Sequence, residues 1–501
     1  MAVPQSIEPP SAETRHSMWQ AVARSVRDNV IAEFVVQGVR LGGFVMLARA
    51  LGPGQFGIFR VLLVLSVLAA LSNDAGIPDA LVQRKEITAA HEATAWWLGM
   101  LTALGAAVVL YLTAPLIAAA MDMPGLTGGA RLLCLPILLD ATTVVPSARL
   151  RRKLNFTALA AADVVAEVAF VVVALLLVLW WGLPAWSLPG GLAARFTVHA
   201  IAIWIADPHL PRGWPTRQAG RDFARFSVAA WGSRIVYVLS SNADYLLVGR
   251  LLGSSALGFY GMAWDLLRFV PDRLYRVAGR VTFPAFCQLQ DDHEALSRAY
   301  LDFFDYIARV VLPIAACAAI AAPEILRTIY GPQWVPSVLP MRLLAPGLAL
   351  CGLRLGIGSV FYSKNHPALD MYLHGVRLTL LVVAVLGLAR WGLFGVSLGM
   401  SMVEGLVSVF GQGLACALIG LSLRDLATSV IPALRLTVLC ALATVGGRMA
   451  AMLAGERGAI VLVAAAVPPA LVYLWMERSN AMDLIGRAFV PAATKTSAAQ
   501  A

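Results

Sequence analysis

Apolar stretches of about twenty residues recur along nearly the whole chain, broken by short polar or basic connections. About twenty residues is the length at which an α-helix crosses the hydrocarbon core of a bilayer. The stretches fall near 29–51, 58–81, 93–121, 127–149, 157–181, 184–206, 224–249, 256–283, 301–323, 335–362, 369–390, 394–418, 429–454 and 457–476. They predict an all-α polytopic membrane protein of about fourteen transmembrane helices. The polar, Arg-containing segment 1–28 is too long and too polar for a signal peptide and lacks a small-residue cleavage site, so the first span is expected to be retained.

Connection charge sets the expected orientation, because Lys and Arg near span ends stay on the cytoplasmic side. Arg15, Arg24 and Arg27 precede the first span, and Arg84 and Lys85 lie in the second connection. The fourth carries Arg149, Arg151, Arg152 and Lys153; the sixth carries Arg212, Arg217, Arg221 and Arg225. The intervening connections 50–57, 122–126 and 182–183 hold no basic residue, although Arg49 and Arg60 flank the first. Both termini are therefore expected in the cytoplasm.

Composition agrees with that reading. Of 501 residues, 59% are hydrophobic and 14% charged, far from the roughly 25% charged of a soluble domain. The net charge of +10 follows from the asymmetric connections, so no nucleic-acid partner is needed to explain it. The six cysteines are scattered without metal or redox spacing, and no phosphate-binding Gly-Lys-Ser loop occurs. No cofactor is expected. No external connection exceeds about twenty residues, which leaves little room for a catalytic domain.

One segment repeats. Arg49-Ala-Leu51-Gly52-Pro53-Gly54-Gln55-Phe56-Gly57-Ile-Phe59 recurs as Arg250-Leu-Leu252-Gly253-Ser254-Ser255-Ala256-Leu257-Gly258-Phe-Tyr260. Both copies join the end of one span to the start of the next. Gly there permits a tight turn, and the aromatic suits a membrane interface. An even number of spans separates the copies, so the two halves would enter the membrane in the same sense. This is a parallel repeat, a plan that places substrate between its halves. Two pseudo-symmetric six-helix lobes are expected at 29–206 and 224–418, joined by a cytoplasmic linker, 207–223. Two further helices over 429–476 and a cytoplasmic tail, 477–501, would follow.

Charges inside the spans are the candidate chemistry, since each costs roughly 2.5–3.5 kcal/mol at a helix centre and needs a partner or a wet cavity. Glu33, Gln37 and Arg40 share one face of the first span. The seventh presents Ser227, Arg234, Tyr237, Ser241 and Asp244 within about a third of its circumference. Arg40 and Arg234 are expected to serve a substrate cavity. The eighth-span ladder Asp265, Arg268, Asp272, Arg276 alternates in sign and suits either a cavity or structural ion pairs. Asp163 and Glu167, four residues apart in the fifth span, would repel if both ionised, so either could carry a coupling proton or be structural. Glu33 is a third ion-coupling candidate. Arg195 and His199, Arg354, Asp370, His374 and Arg377, and Glu404 complete the set.

Several motifs together resemble a known family. Ala48-Arg49-Ala-Leu51-Gly52-Pro53 to Phe56-Gly57, Asn73-Asp74-Ala-Gly76-Ile77 and Val82-Gln83-Arg84-Lys85 resemble the polysaccharide-repeat-unit flippases. These are the O-antigen and exopolysaccharide exporters of the multidrug/oligosaccharidyl-lipid/polysaccharide exporter superfamily, and the similarity looks closest to the colanic-acid type. Arg149 to Phe156, Asp244 with Gly249-Arg250-Leu-Leu252-Gly253, Val281 to Phe286 with Gln290-Asp291-Asp292, and Tyr330-Gly331-Pro-Gln-Trp334 also fit. The resemblance covers roughly residues 26–420 and implies two six-helix lobes around a central cavity. It further implies alternating access for an oligosaccharide on an undecaprenyl diphosphate carrier in a bacterial inner membrane, without enzymatic activity. Arg40, Arg234, Asp244, Arg268, Arg276, Arg354 and Arg377 become the candidate substrate contacts, because guanidinium groups grip phosphate oxygens. The intramembrane acids nearly balance these arginines, a departure from a plainly cationic cavity. Membrane lipids and a polysaccharide polymerase with chain-length machinery are the implied partners. A peptidoglycan-precursor flippase and, from another class, a membrane polysaccharide polymerase or ligase are the alternatives.

The charge asymmetry makes a direct prediction. A reporter active only in the periplasm should be silent when fused at Ala501 and active when placed near Pro124; the reverse pattern contradicts the orientation.

Overall fold

A computed structural model describes residues 32–73, 81–82 and 87–489, with the side chains of 70–73, 219, 221–236, 276–281 and 478–489 outside the described set. The tail 1–28, the motif Asn73 to Ile77, most of Val82 to Lys85, much of the segment 477–501 and the Arg234 and Arg276 side chains therefore lie outside the described residues.

Among the described residues every regular element is helical. Helix α1 covers 32–50. It is followed by α2 (Pro53–Asn73), α3 (Ala89–Met121), α4 (Gly125–Ala141), α5 (Val144–Arg152), α6 (Phe156–Leu179) and α7 (Pro184–Ala206). A bent α8 (Arg217–Gln288) leads to α9 (His293–Ile320), α10 (Val338–Gly352), α11 (Ile357–Ser363) and α12 (Ala368–Leu388). The series ends with α13 (Gly392–Ile419), α14 (Leu423–Ser429), α15 (Ile431–Leu453) and α16 (Ala459–Phe489).

Nine described segments are long and apolar enough to cross a membrane, ten when the bent α4–α5 pair is counted as one span. Two of the nine, Tyr237–Tyr275 and Ala368–Ile419, run to 39 and 52 residues, room for two crossings each at about twenty residues per crossing. With α1 and the shorter apolar α2 beside them, the series accommodates the fourteen expected spans. The chain is a multi-pass membrane protein.

Sequence chemistry explains the breaks. The Thr88 side chain and the His91 ring form a reciprocal capping box that starts α3. The 42° bend between α4 and α5 falls where the Thr142 and Thr143 hydroxyls bond back to the carbonyls of Leu139 and Asp140, at 2.6 and 2.7 Å. Such back-bonding competes with the helix ladder. Gly253 breaks α8 with a φ of +84°, a left-handed conformation that costs a glycine nothing.

The chain divides into two compact units, Met1–Gly258 and Phe259–Ala501. The boundary falls inside the second copy, just after Gly258, so the first copy and residues 250–258 of the second lie in the first unit. There they pack on each other reciprocally. A Cβ at Gly57 would collide with the Ser254 carbonyl, and one at Gly258 would collide with the Pro53 carbonyl. Position 53 corresponds to 254 and position 57 to 258, so residue i of one copy meets residue j of the other, and the converse. That is the pattern of a two-fold contact. Each copy supplies a glycine at the crossing, Gly57 or Gly258, which lets helix backbones approach closely inside a bilayer. Sequence reasoning assigned these glycines to turns. Gly253 does make the turn, but Gly57 and Gly258 serve the close approach.

In the second unit, the last two long helices are tied to α9 by ion pairs. Arg309 of α9 meets Glu477 of α16 at 2.9 Å, and Arg448 of α15 meets Glu324, just beyond the α9 end, at 2.7 Å. The Thr444 hydroxyl also donates to the Cys317 sulfur, at 3.2 Å. Helices α15 and α16 are thus held firmly to the second unit.

The reciprocal glycine contact generates a stability prediction. Gly57→Ala and Gly258→Ala should each cost about 1–3 kcal/mol, the usual penalty for overpacking. Gly42→Ala, where no atom lies within 4 Å of the new Cβ, should leave thermal unfolding in detergent unchanged or slightly raised. Equal midpoints for all three variants would contradict the close approach.

Candidate functional site

In the first unit the polar face of α1 meets α6 and α7 at one carboxylate. Glu167 of α6 is only 3% exposed. Arg40 donates to it in bidentate fashion, Nε to Oε1 and Nη2 to Oε2, each at 2.9 Å. Arg195 of α7 also reaches Oε2, through Nε at 3.4 Å. The bidentate fork is the strongest geometry available to such a pair. With the Arg195 contact it ties together three helices, α1 and α6 through residues 127 positions apart in sequence. The carboxylate is buried but the cations are not: the Arg40 and Arg195 side chains are 44% and 39% exposed. Glu33 accepts from Gln37 at 2.9 Å one turn earlier on the same face of α1.

One turn further along α6 and α7 lies a second constellation. His199 Nδ1 is 3.2 Å from Asp140 Oδ1, and its Nε2 is 3.8 Å from Asp163 Oδ1. The adjoining Trp204 indole donates to Thr142 Oγ1 at 2.8 Å, tying α7 to the α4–α5 bend. Asp163 and Glu167 were expected to repel across one helical turn. The structure gives each its own partner, His199 for Asp163 and two arginines for Glu167.

The second unit repeats the chemistry at a different place. Glu404 of α13 is fully buried, at 0% exposure. Arg377 of α12 contacts its Oε1 through Nε at 2.8 Å and Nη2 at 2.7 Å. Arg354, in the 3₁₀ turn before α11, contacts Oε2 at 3.0 Å. These cations are mostly buried, unlike those around Glu167. Two turns along α13, Gln412 accepts from the Tyr300 hydroxyl at 2.6 Å and donates to the Leu353 carbonyl at 2.8 Å. His374 and Asp370 lie one and two turns before Arg377 on α12.

The remaining sequence candidates separate. Arg268 bonds Asp272 within the eighth-span ladder at 3.1 and 3.2 Å, and lies 5.9 Å from the centre of the Trp264 ring. Asp244 is fully buried on the first arm of α8. The side chains of Arg234 and Arg276 lie outside the described residues. Among the described residues, no group of three or more His, Cys, Asp or Glu side chains could hold a metal ion.

Sequence reasoning missed Asp140, although a single acid in the apolar run around it was a usable signal. It also missed a cluster at the ends of α3, α5 and α7. Arg149 contacts both Asp207 and Glu92, at 2.7 and 3.1 Å; Lys153 contacts Asp207 at 2.9 Å, and His209 contacts Glu92 at 2.9 Å. Burial works against the Asp207 anion, but hydrogen bonds from Lys153 and Arg149 win and hold its carboxyl below the usual range. Trp214 stacks on Trp97 at 5.8 Å, and the Thr216 amide donates to Thr94 at 3.0 Å. Residues 207–216 therefore run as a strap along the end of α3.

Known proteins resemble this chain in sequence or in fold. It is 24% identical to the lipopolysaccharide biosynthesis protein WzxC of Escherichia coli (strain K12) over 397 residues, 77% of this chain and 79% of that protein. It is 28% identical to the succinoglycan biosynthesis transport protein ExoT of Rhizobium meliloti (strain 1021) over 331 residues, 65% of this chain and 66% of that protein. The fold matches that of the lipid II flippase MurJ in an inward closed conformation, with a TM-score of 0.72 and 13% identity over 91% of this chain and 99% of that one. The family model described as polysaccharide biosynthesis protein matches residues 46–339, more than half of the sequence, and the chain belongs to that family.

Proposed function

We propose that the chain is a flippase that carries undecaprenyl-diphosphate-linked oligosaccharide repeat units across the bacterial inner membrane by alternating access, for surface or exopolysaccharide biosynthesis. The observation that carries this reading is the partly exposed pair of guanidiniums around Glu167, set in a chain of the polysaccharide biosynthesis family. The bonds to Glu167 use two of the five N–H donors of Arg40, so its fork can meet a further anion. A diphosphate or an acidic sugar offers the oxygens that such a fork binds best.

Arg40 and Arg234 are the proposed principal contacts, with Asp244, Arg268, Arg276, Arg354 and Arg377 as further candidates. Glu33, Asp163 and Glu167 are the proposed ion-coupling carboxylates. The proposed lobes are 29–206 and 224–418, with both termini in the cytoplasm and transport of the sugar head toward the periplasm. Membrane lipids, a polysaccharide polymerase and chain-length machinery are the proposed partners, and the chain is proposed to move its substrate without chemical conversion. The fold shared with a lipid II flippase supports a second reading, translocation of the peptidoglycan precursor. Rescue of a cell-wall flippase deletion rather than of a polysaccharide-export deletion would favour it.

Mutation of the paired arginine tests the site. Arg40→Ala should abolish polymer export and leave lipid-linked repeat units on the cytoplasmic side; it also leaves Glu167 with one cation fewer in an apolar span, which lowers abundance. The double variant Arg40→Ala, Glu167→Gln should recover abundance in the membrane but not export. Arg40→Lys should recover export only in part, because an ammonium lacks the planar fork. Arg234→Ala should behave as Arg40→Ala does. Normal polymer yield from a well-expressed Arg40→Ala, Glu167→Gln protein would remove Arg40 from the mechanism.

A further inference from the structure

The constellation next to the Glu167 cluster carries an inference of its own. His199 stands between two carboxylates inside the first unit, 3.2 Å from Asp140 and 3.8 Å from Asp163. A neutral imidazole has one N–H and one lone pair, so it can serve only one of two flanking carboxylates. The other carboxylate then faces a lone pair. The unequal distances fit that state: Asp140 is within hydrogen-bond reach, and Asp163 stands off beyond it. A second proton on the ring would turn both nitrogens into donors and let Asp163 close on Nε2.

Charge balance asks for the same proton. The charged groups acting on His199 are Asp140 of α4, Asp163 of α6 and Arg195 of its own helix. Beyond them lie Glu167 and Arg40, and Glu33 adds another acid on α1. On the other helices packed against α7, Arg60 of α2 lies over Tyr245 and Arg149 of α5 is engaged by Asp207 and Glu92. Four carboxylates, Glu33, Asp140, Asp163 and Glu167, therefore face two guanidiniums, and uncompensated charge is costly in an apolar environment. One proton on His199 reduces the excess. The group does not converge closely enough to hold a metal ion in its place. Asp163, with a side chain 65% exposed, offers the path by which the proton reaches the ring.

We propose that His199, held between Asp140 and Asp163, is a proton-binding site that couples proton movement to substrate translocation. The coupling rests on the transport reading above; the binding does not. In the cycle, one proton enters at Asp163 and binds His199 Nε2, Asp163 closes on the ring, and the same proton leaves by the reverse step on the other side of the transport cycle. Neither Arg40 nor Arg195 exchanges a proton in this scheme. Both pair with Glu167 beside the site, and Arg40 keeps its proposed place as a substrate contact.

Two measurements decide it. In full-length protein with ring-¹⁵N-labelled histidine in lipid nanodiscs, the His199 signal, identified among seven histidines by its loss in His199→Gln, should change protonation state between about pH 5 and 8. Asp163→Asn should shift the midpoint of that change, whereas Glu456→Gln, at an exposed connection, should not. A ring that keeps one state across the range overturns the site. In liposomes loaded with a pH dye and a labelled lipid-linked oligosaccharide, the wild-type protein should move protons with substrate. His199→Gln, present at wild-type density, should lose that proton movement at least tenfold and flatten the pH profile of translocation. Unchanged coupling and profile in His199→Gln overturn the proposal. A wild-type protein that moves no substrate refutes the transport reading and the coupling with it, while the nanodisc measurement still decides whether His199 binds a proton.

Discussion

A charge cannot be left alone in hydrocarbon, and that constraint organises both units. In the first, three helices converge on Glu167, which takes two bonds from Arg40 and one contact from Arg195. In the second, α12, α13 and the 3₁₀ turn after α10 converge on Glu404 through Arg377 and Arg354. Removing one partner of such a buried pair costs about 3–5 kcal/mol, because the other charge stays behind unpaired. Each cluster is therefore a pin through its bundle. It forces particular helices to meet at a particular depth, where apolar side chains alone would tolerate sliding. The same rule acts at the margin of the second unit, where Arg309 with Glu477 and Arg448 with Glu324 hold the two last helices to α9.

The two pins differ in one respect that bears on function. Around Glu404 carboxylate and guanidiniums are buried together, which suits a structural role. Around Glu167 the anion is buried, whereas the Arg40 and Arg195 side chains each keep about two-fifths of their surface exposed. A buried anion under partly exposed cations is the arrangement on which the proposed substrate contact rests. The adjacent Asp140, His199 and Asp163 add an imidazole between two carboxylates, beside those cations. The proposed anion contact and the proposed proton site thus use separate residues in neighbouring positions.

Much of this was legible in the sequence, and the reason for the rest is physical. Span positions follow from hydropathy, which a bilayer enforces strongly, and the polar stripe Glu33, Gln37, Arg40 was readable from helical period alone. The partner of Arg40 was not, because nothing local connects residues 127 positions apart. Asp163 and Glu167 looked like a repelling pair when only their own helix was considered; neighbouring helices supply a separate counter-group for each. The repeat at residues 49 and 250 was visible as a spacing, but the function of its glycines was not. Gly253 needs a left-handed φ, whereas Gly57 and Gly258 lack side chains so that each copy can touch the other's carbonyl. A close approach depends on what lies across the helix, and a single strand of sequence does not record it.

Translocation itself is the claim on which the functional account stands. The direct measurement is the leaflet distribution of a fluorescent undecaprenyl-diphosphate oligosaccharide in liposomes that hold the purified protein, read with a quencher that cannot cross the membrane. The account predicts that the label, placed at first in one leaflet, redistributes to both within the assay when the protein is present and stays in place in protein-free liposomes. A label that remains in its original leaflet with the folded protein present would contradict it.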